Sequence, residues 1–256
     1  MVSNAFAIIS DIHANLPALN AVFRDIEVLG IERIICLGDV IGYGPDPVSC
    51  VDRVRERCEV IVCGNHDEAL IFGGIGFHQQ ARRAIEWTAS QLKPGFFSGT
   101  KVRKRWDFVT QFKMSHRERN DLFVHGSPRD PTSEYILPRD AALGETPKLV
   151  EIFSSFEHRL FAGHTHLPLV IDDGYECISP SSRGNRFQCD PGRKYIINVG
   201  SVGQPRDKDN RSCYVVVEGE TVHWRRVAYD FMRTVKRINQ SEGLHDSLGS
   251  RLIVGQ

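Results

Sequence analysis

Seven residues of this chain have side chains that bind divalent metals and stand in turn-like contexts: Asp11, His13, Asp39, Asn65, His125, His164 and His166. Asp11 and His13 are spaced i, i+2, as are His164 and His166. In an extended chain that spacing points both side chains the same way. Asp39 follows Gly38 and Asn65 follows Gly64, each just after an apolar run, where a side chain can aim into a crevice. Neutral imidazole, carboxylate and amide oxygen together suit borderline metals such as Mn, Fe, Co, Ni or Zn. No thiolate joins the set, which disfavours a structural zinc site. Seven ligands are too many for one tetrahedral ion and suit two ions about 3.5–4 Å apart that share a bridging carboxylate. Two divalent ions outweigh Asp11, Asp39 and a bridging hydroxide by one positive charge. That excess would attract a phosphate oxygen and offset the charge growing in a transition state. Metal binding would also make hydroxide available near neutral pH. The chemistry expected is cleavage of a phosphate ester.

These residues need elements that deliver them to one place. Ala5–Ile9 is an apolar run, and Leu16, Leu19, Val22, Phe23 and Ile26 then recur at helical spacing. Ile34–Leu37, a helix over Val48–Arg57 and a strand over Glu59–Cys63 continue the alternation, which reads as a sheet with covering helices. Each strand ends in a polar turn: Ser10-Asp11-Ile12-His13, Gly38-Asp39, and Gly64-Asn65-His66-Asp67. The carboxyl edge of an α/β sheet is where such crevices form. Ala81, Ala84, Ile85, Thr88 and Leu92 mark a helix that Pro94-Gly95 ends. The second half is richer in strands, over Asp121–Val124, Arg159–Ala162, Leu167–Ile171, Tyr195–Val199, Tyr214–Val217 and Val222–Val227, with a closing helix over Tyr229–Asn239. No repeat or linker is evident. The expectation is one domain, 1–256, with an irregular helical and loop segment at about 73–118.

Composition excludes several classes. The chain has 256 residues, 41% hydrophobic and 25% charged, with 32 basic and 32 acidic side chains. Zero net charge argues against a protein held mainly by long nucleic acid. No apolar run approaches the ~18–20 residues of a membrane span, and no basic residue precedes the first apolar run, so neither membrane insertion nor a signal peptide is expected. The 7 cysteines are odd in number and scattered, which suits reduced thiols in the cytoplasm. Cys36 and Cys63 lie near the site in sequence but read as core filling. His78, His116, His158, His223 and His245 lack comparable neighbours and read as structural or exposed. The basic run Lys101–Arg105 reads as a solvated face. A lone strand-end Asp or His is more often a turn or capping residue than a ligand. Seven at predicted strand ends point to a shared site.

Five motifs carry a resemblance. Asp11-x-His13, Gly38-Asp39-x-x-Gly42, Gly64-Asn65-His66-Asp67, His125-Gly126 and Gly163-His164-x-His166 stand in the order of the calcineurin-like metallophosphoesterases. The longer stretches Gly38–Pro45, His125–Asp130 and Asn198–Arg206 resemble the small prokaryotic, phosphodiesterase-like branch of that superfamily. The resemblance implies an α/β fold, a four-layer αββα sandwich of two mixed β-sheets flanked by helices. It implies that Asp11, His13 and His166 bind one ion, that Asn65, His125 and His164 bind a second, and that Asp39 bridges them. The ions would be Mn²⁺ or Fe²⁺ by preference, with Zn²⁺, Ni²⁺ or Co²⁺ as alternatives. His66 would donate a proton to the leaving alkoxide or steady the transition state, with Asp67 orienting its ring.

One departure matters. Protein Ser/Thr phosphatases and symmetrical dinucleoside tetraphosphatases resemble one another in a Gly-Asp-x-x-Asp-Arg-Gly motif whose arginine holds the phosphate. The corresponding stretch here, Gly38-Asp39-Val40-Ile41-Gly42-Tyr43-Gly44, has no arginine. Arg129 and Arg206 are the candidates to supply substrate-binding charge instead. The expected activity is hydrolysis of a small phosphate ester, a diester in preference to a monoester. The alternatives are a phosphomonoesterase or protein Ser/Thr phosphatase-like activity, a nuclease using the basic run, and a non-catalytic scaffold of the same fold. No membrane or long nucleic-acid partner is expected, and nothing in the pattern specifies an oligomeric state.

Overall fold

The computed structural model describes residues 5–256. The first part runs β1 (Phe6–Ile9), α1 (Leu16–Val28), β2 (Ile34–Cys36), α2 (Pro47–Arg57), β3 (Val60–Ile61), α3 (Asn65–Phe72), α4 (Gln79–Leu92) and α5 (Thr100–Val109). The middle contributes β4 (Ser115–Glu118), β5 (Asp121–Val124), α6 (Pro138–Ala142), α7 (Pro147–Ser154), β6 (Arg159–Ala162), β7 (Leu169–Asp172) and β8 (Cys177–Ile178). The last part holds β9 (Arg186–Gln188), β10 (Tyr195–Asn198), β11 (Ser212–Glu218), β12 (Thr221–Val227), α8 (Phe231–Asn239) and α9 (Asp246–Val254).

The strands form two 6-stranded mixed sheets, ordered β3-β2-β1-β11-β12-β9 and β4-β5-β6-β10-β7-β8. Strand alternation explains their layering. In β1, Ala7 and Ile9 face α1 and α2, while Ile8 faces the other sheet. In β5 and β6, Phe123 and Phe161 point between the sheets and stack at 5.2 Å, while Leu122, Val124, Leu160 and Ala162 turn to α6 and α7. Strands buried on both faces read as continuous apolar runs, as Ala7–Ile9 and Leu160–Ala162 do. The expected αββα sandwich is therefore the observed one. A fourth apolar cluster joins α4, α8 and α9 to Tyr43 beside the strand ends.

Three expectations need correction. The segment 73–118 is mostly regular, holding α4, α5 and β4. The strand β4 went unread because Ser115-His116-Arg117-Glu118 is an edge strand with no apolar alternation. The basic run is not wholly solvated. Arg105 is buried and donates to both Asp52 carboxylate oxygens of α2, at 2.9 and 2.7 Å. Lys101, Arg103 and Lys104 remain exposed.

Candidate metal centre

The candidate ligands come from the carboxyl ends of parallel strands in both sheets. After β1 come Asp11 and His13, after β2 Asp39, and after β3 Asn65 and His66 at the start of α3. The second sheet supplies His125 after β5, and His164 and His166 after β6. The two edges meet, and all seven expected ligands converge.

The local backbone differs from an extended chain. Asp11, His13, Asp39, His164 and His166 have φ of 53°, 47°, 50°, 65° and 60°. Left-handed backbone is uncommon for residues other than glycine and persists only where the surroundings impose it. Here they do. Asp11 N–H donates to Gly38 O at 3.1 Å and His13 N–H to Asp39 O at 2.9 Å. His164 N–H donates to Asp11 Oδ2 at 3.1 Å. The loop after β10 closes over the turn, with Ser201 Oγ–H and Gly203 N–H both donating to Asp11 O, at 2.9 and 2.8 Å. Gly64 allows a close approach too, since a Cβ there would lie 2.1 Å from Asp39 Oδ1.

Each of the four histidines expected to be ligands has one nitrogen tied to a backbone carbonyl. His13 Nδ1 donates to Ile41 O at 3.2 Å, His125 Nδ1 to Leu37 O at 2.8 Å, and His166 Nδ1 to Gln204 O. His164 is turned the other way, its Nε2 donating to Ser133 O at 3.0 Å. Carbonyl partners of this kind fix the tautomer and leave the second nitrogen as a bare lone pair. Those lone pairs face one another, His13 Nε2 and His166 Nε2 at 3.1 Å and His125 Nε2 and His164 Nδ1 also at 3.1 Å. Asp11 Oδ1 lies 3.2 Å from His166 Nε2, and Asn65 Oδ1 lies 3.2 Å from His125 Nε2. Asp39 Oδ2 stands between the groups, 3.5 Å from His13 Nε2 and 3.4 Å from His125 Nε2.

Ligand atoms of Asp11, His13 and His166 lie within 4.8 Å of one another, as do those of Asp39, His125 and His164. Asp11 Oδ1 is buried and makes no hydrogen bond. Acceptors packed against acceptors at these distances repel unless a cation or a proton lies among them. The donor set therefore fits divalent metal ions.

Ionisation follows the same logic. Burial would raise Asp11 and Asp39, but the imidazoles beside them, His166 for Asp11 and His125 for Asp39, hold both well below the carboxylate range. Burial lowers His13 strongly, and it lowers His164 to about 3 with the His125 charge adding to the effect. His125 is the exception. Burial opposes its charge, yet Asp39, helped by Asp11 and the Leu37 carbonyl, raises it to about 9.

His66 packs edge-on to His13 at 4.8 Å, Tyr43 at 4.4 Å and Phe77 at 5.0 Å. One of its nitrogens lies within 4.8 Å of ligand atoms of His13 and Asp39, while Nδ1 is buried without a partner. A Cβ on Gly42 would come within 2.3 Å of that Nδ1, so this glycine makes room for the ring. Asp67 does not orient it. Its carboxylate accepts the N–H groups of Val40, Ile41 and Gly64, at 3.1, 3.3 and 3.1 Å, and so braces the turns that carry Asp39 and Asn65. A residue at the third position of a helix reaches back to the cap in this way.

A cavity of about 500 Å³ opens over the cluster, lined among others by Tyr43, Phe77, Tyr135, Arg206 and Arg251. Arg129 does not line it. That side chain is exposed and pairs with Glu134 and Glu151 at 3.6 and 3.3 Å. His78, expected to be structural or exposed, is exposed at the rim and also accepts from Ala81 N at the start of α4. Arg251 and Tyr135 were not singled out from sequence, because neither stands in a motif.

Comparison with known proteins agrees with this architecture. A sequence model described as the calcineurin-like phosphoesterase superfamily domain matches residues 5–221. The chain is 32% identical to the uncharacterized protein MJ0912 of Methanocaldococcus jannaschii, over 100% of both chains. Among solved structures it is similar to a metallophosphoesterase from Sphaerobacter thermophilus, with 35% identity, a TM-score of 0.81, and 99% of this chain and 100% of that one covered. A hypothetical protein, PH1004, from Pyrococcus horikoshii OT3 shares the fold at 18% identity and a TM-score of 0.73, with 98% of each chain covered.

Proposed function

This chain belongs to the calcineurin-like phosphoesterase superfamily of hydrolytic enzymes that use divalent metal ions, and within it we propose that the chain hydrolyses a small phosphodiester at a dinuclear site bridged by Asp39. The observation that carries the reading is the position of Asp39 Oδ2, 3.5 Å from His13 Nε2 and 3.4 Å from His125 Nε2. Asp11, His13 and His166 would hold one ion, and Asn65, His125 and His164 the other. The imidazole, carboxylate and amide ligands suit Mn²⁺, Fe²⁺, Co²⁺, Ni²⁺ or Zn²⁺, and the family resemblance favours Mn²⁺ or Fe²⁺ among them. When bound, the ions supply Lewis acidity toward the phosphoryl oxygen and toward the water that cleaves the ester.

The chain's own groups do the rest. The carbonyls of Ile41, Leu37, Ser133 and Gln204 hold the four imidazoles in the tautomers that ligation needs. Burial brings His66 down to about 4, against the pull of Asp39. It therefore meets substrate as a neutral imidazole, which favours its role as a hydrogen-bond donor to the transition state over that of a charged acid. Tyr43 stands where the related phosphatases place their arginine, with its ring 4.6 Å from His13 and 4.4 Å from His66. An aromatic wall there supports a singly charged diester over a doubly charged monoester.

The test uses chelator-stripped protein refilled with Mn²⁺ and compares a chromogenic phosphodiester with its monoester counterpart. Metal-dependent diester turnover that outpaces the monoester is expected. Equal or faster monoester turnover would move the protein to the phosphatase side.

A further inference from the structure

Two arginines reach the cavity from different elements. Arg206 comes from the loop after β10 and Arg251 from α9. The two are held as one unit. Lys208 N–H donates to Gly255 O at 2.9 Å, and Asn210 Nδ2 donates to Ile253 O at 3.2 Å, so the end of α9 is tied to the loop that carries Arg206. Leu248 and Leu252 pack α9 into the same apolar cluster as Tyr43, which fixes this helix against the wall of the site.

Neither guanidinium is neutralised. Arg206 donates one Nη to Gln204 Oε1 at 2.9 Å, and its Nε is buried without a partner. Among the described residues no carboxylate pairs with Arg206 or Arg251. Asp39 is the one acid in the cavity lining, and it is turned to the metal cluster. Two like charges on one cavity repel each other, and Arg presents a planar fork suited to carboxylate or phosphate. The cavity, at about 500 Å³, has room for much more than the phosphoryl group being cleaved.

Resting on the phosphoesterase reading for what is cleaved, we propose that Arg206 and Arg251 form a subsite for a second anionic group of the substrate, so that the natural substrate is a small phosphate ester carrying a further phosphate or carboxylate. Arg206 lies within the matched domain at residues 5–221 and Arg251 beyond it, so the C-terminal helices contribute one half of this subsite. Tyr43, Phe77 and Tyr135 line the same cavity and would enclose the apolar part of such a molecule.

Binding can be measured without turnover. The full-length chain, dialysed against Mn²⁺, is titrated by calorimetry with propylphosphonate and with the ethane-, propane- and butane-diphosphonates. The expectation is that at least one diphosphonate binds tighter than propylphosphonate by about ten- to a hundredfold, the worth of one or two charge-assisted hydrogen bonds. Arg251→Ala removes that advantage while the affinity for propylphosphonate falls less than about twofold, and Arg251→Lys keeps part of it because charge remains without the fork. Arg251→Gln gives a second neutral variant should the alanine form fold poorly. Equal wild-type affinity for all four ligands would overturn the proposal. A loss on Arg251→Ala that is the same for both kinds of ligand would overturn it too. Failure of the phosphoesterase reading would appear separately, as absence of turnover.

Discussion

His13 and His166 turn bare nitrogens toward each other across 3.1 Å, and His125 and His164 do the same. What lies among such groups must be positive. In stripped protein a proton serves in part, because Asp39 raises His125 to about 9 despite its burial. A metal ion needs the neutral ring, so its binding must expel that proton at any pH below about 9. Metal affinity should therefore climb with pH, by about tenfold per unit around neutrality, and level off once His125 has lost its proton. Titration in buffers of different ionisation enthalpy reads the released proton directly, and pH-independent affinity would refute the assignment. His66 is a different case. His66→Ala should keep its metal and lose about 10²–10³ in kcat, the usual effect of removing one transition-state donor. If elemental analysis finds the metal gone, His66 is a ligand, as its closeness to His13 and Asp39 would allow.

At the scale of elements, what matters is how short polar turns are fastened. Asp67 binds three backbone N–H groups of the turns around it, and the loop at 201–204 clamps Asp11 O and His166 Nδ1. The part-buried pair between Arg105 and Asp52 fastens α5 to α2. Arg105→Ala should cost about 1–2 kcal/mol in urea unfolding, since the part-buried Asp52 loses its bidentate partner but keeps Arg55 and Lys101 nearby. Lys104→Ala, an exposed neighbour, should stay within about 0.5 kcal/mol. Equal effects would restore the reading of the run as a solvated face. The buried strands and the ligand turns were legible because buried strands leave apolar runs and ligands follow them directly, whereas the short edge strands β8 and β9 left no such run. The edge strand β4 was not, because Ser115–Glu118 buries no face of its own. Nor was the left-handed backbone of Asp11, His13, His164 and His166, which is imposed by hydrogen bonds from distant segments. The partners of Asp67 and of Arg129 were hidden for the same reason. Spacing along the chain does not say which carboxylate meets which donor.

For the whole molecule, the site is a seam. One sheet brings Asp11, His13, Asp39 and Asn65, and the other brings His125, His164 and His166. Ions that join the two sheets should stabilise the fold as a unit. At about a hundred times the dissociation constant, one such ion adds about 2.7 kcal/mol, or about 5–10 °C in Tm for a chain of this size. Chelator-treated protein should melt lower by that amount and recover on addition of Mn²⁺, as a thermal scan would show. An unchanged Tm would mean that the seam is closed without ions. The most direct test of the account is the metal stoichiometry of the chain and its Asp39→Ala variant after equilibration with Mn²⁺ and removal of free ion. Two ions per chain in the wild type, and one or none with loss of hydrolysis in the variant, is the predicted result. A single ion in the wild type, or two ions retained without Asp39, would contradict it.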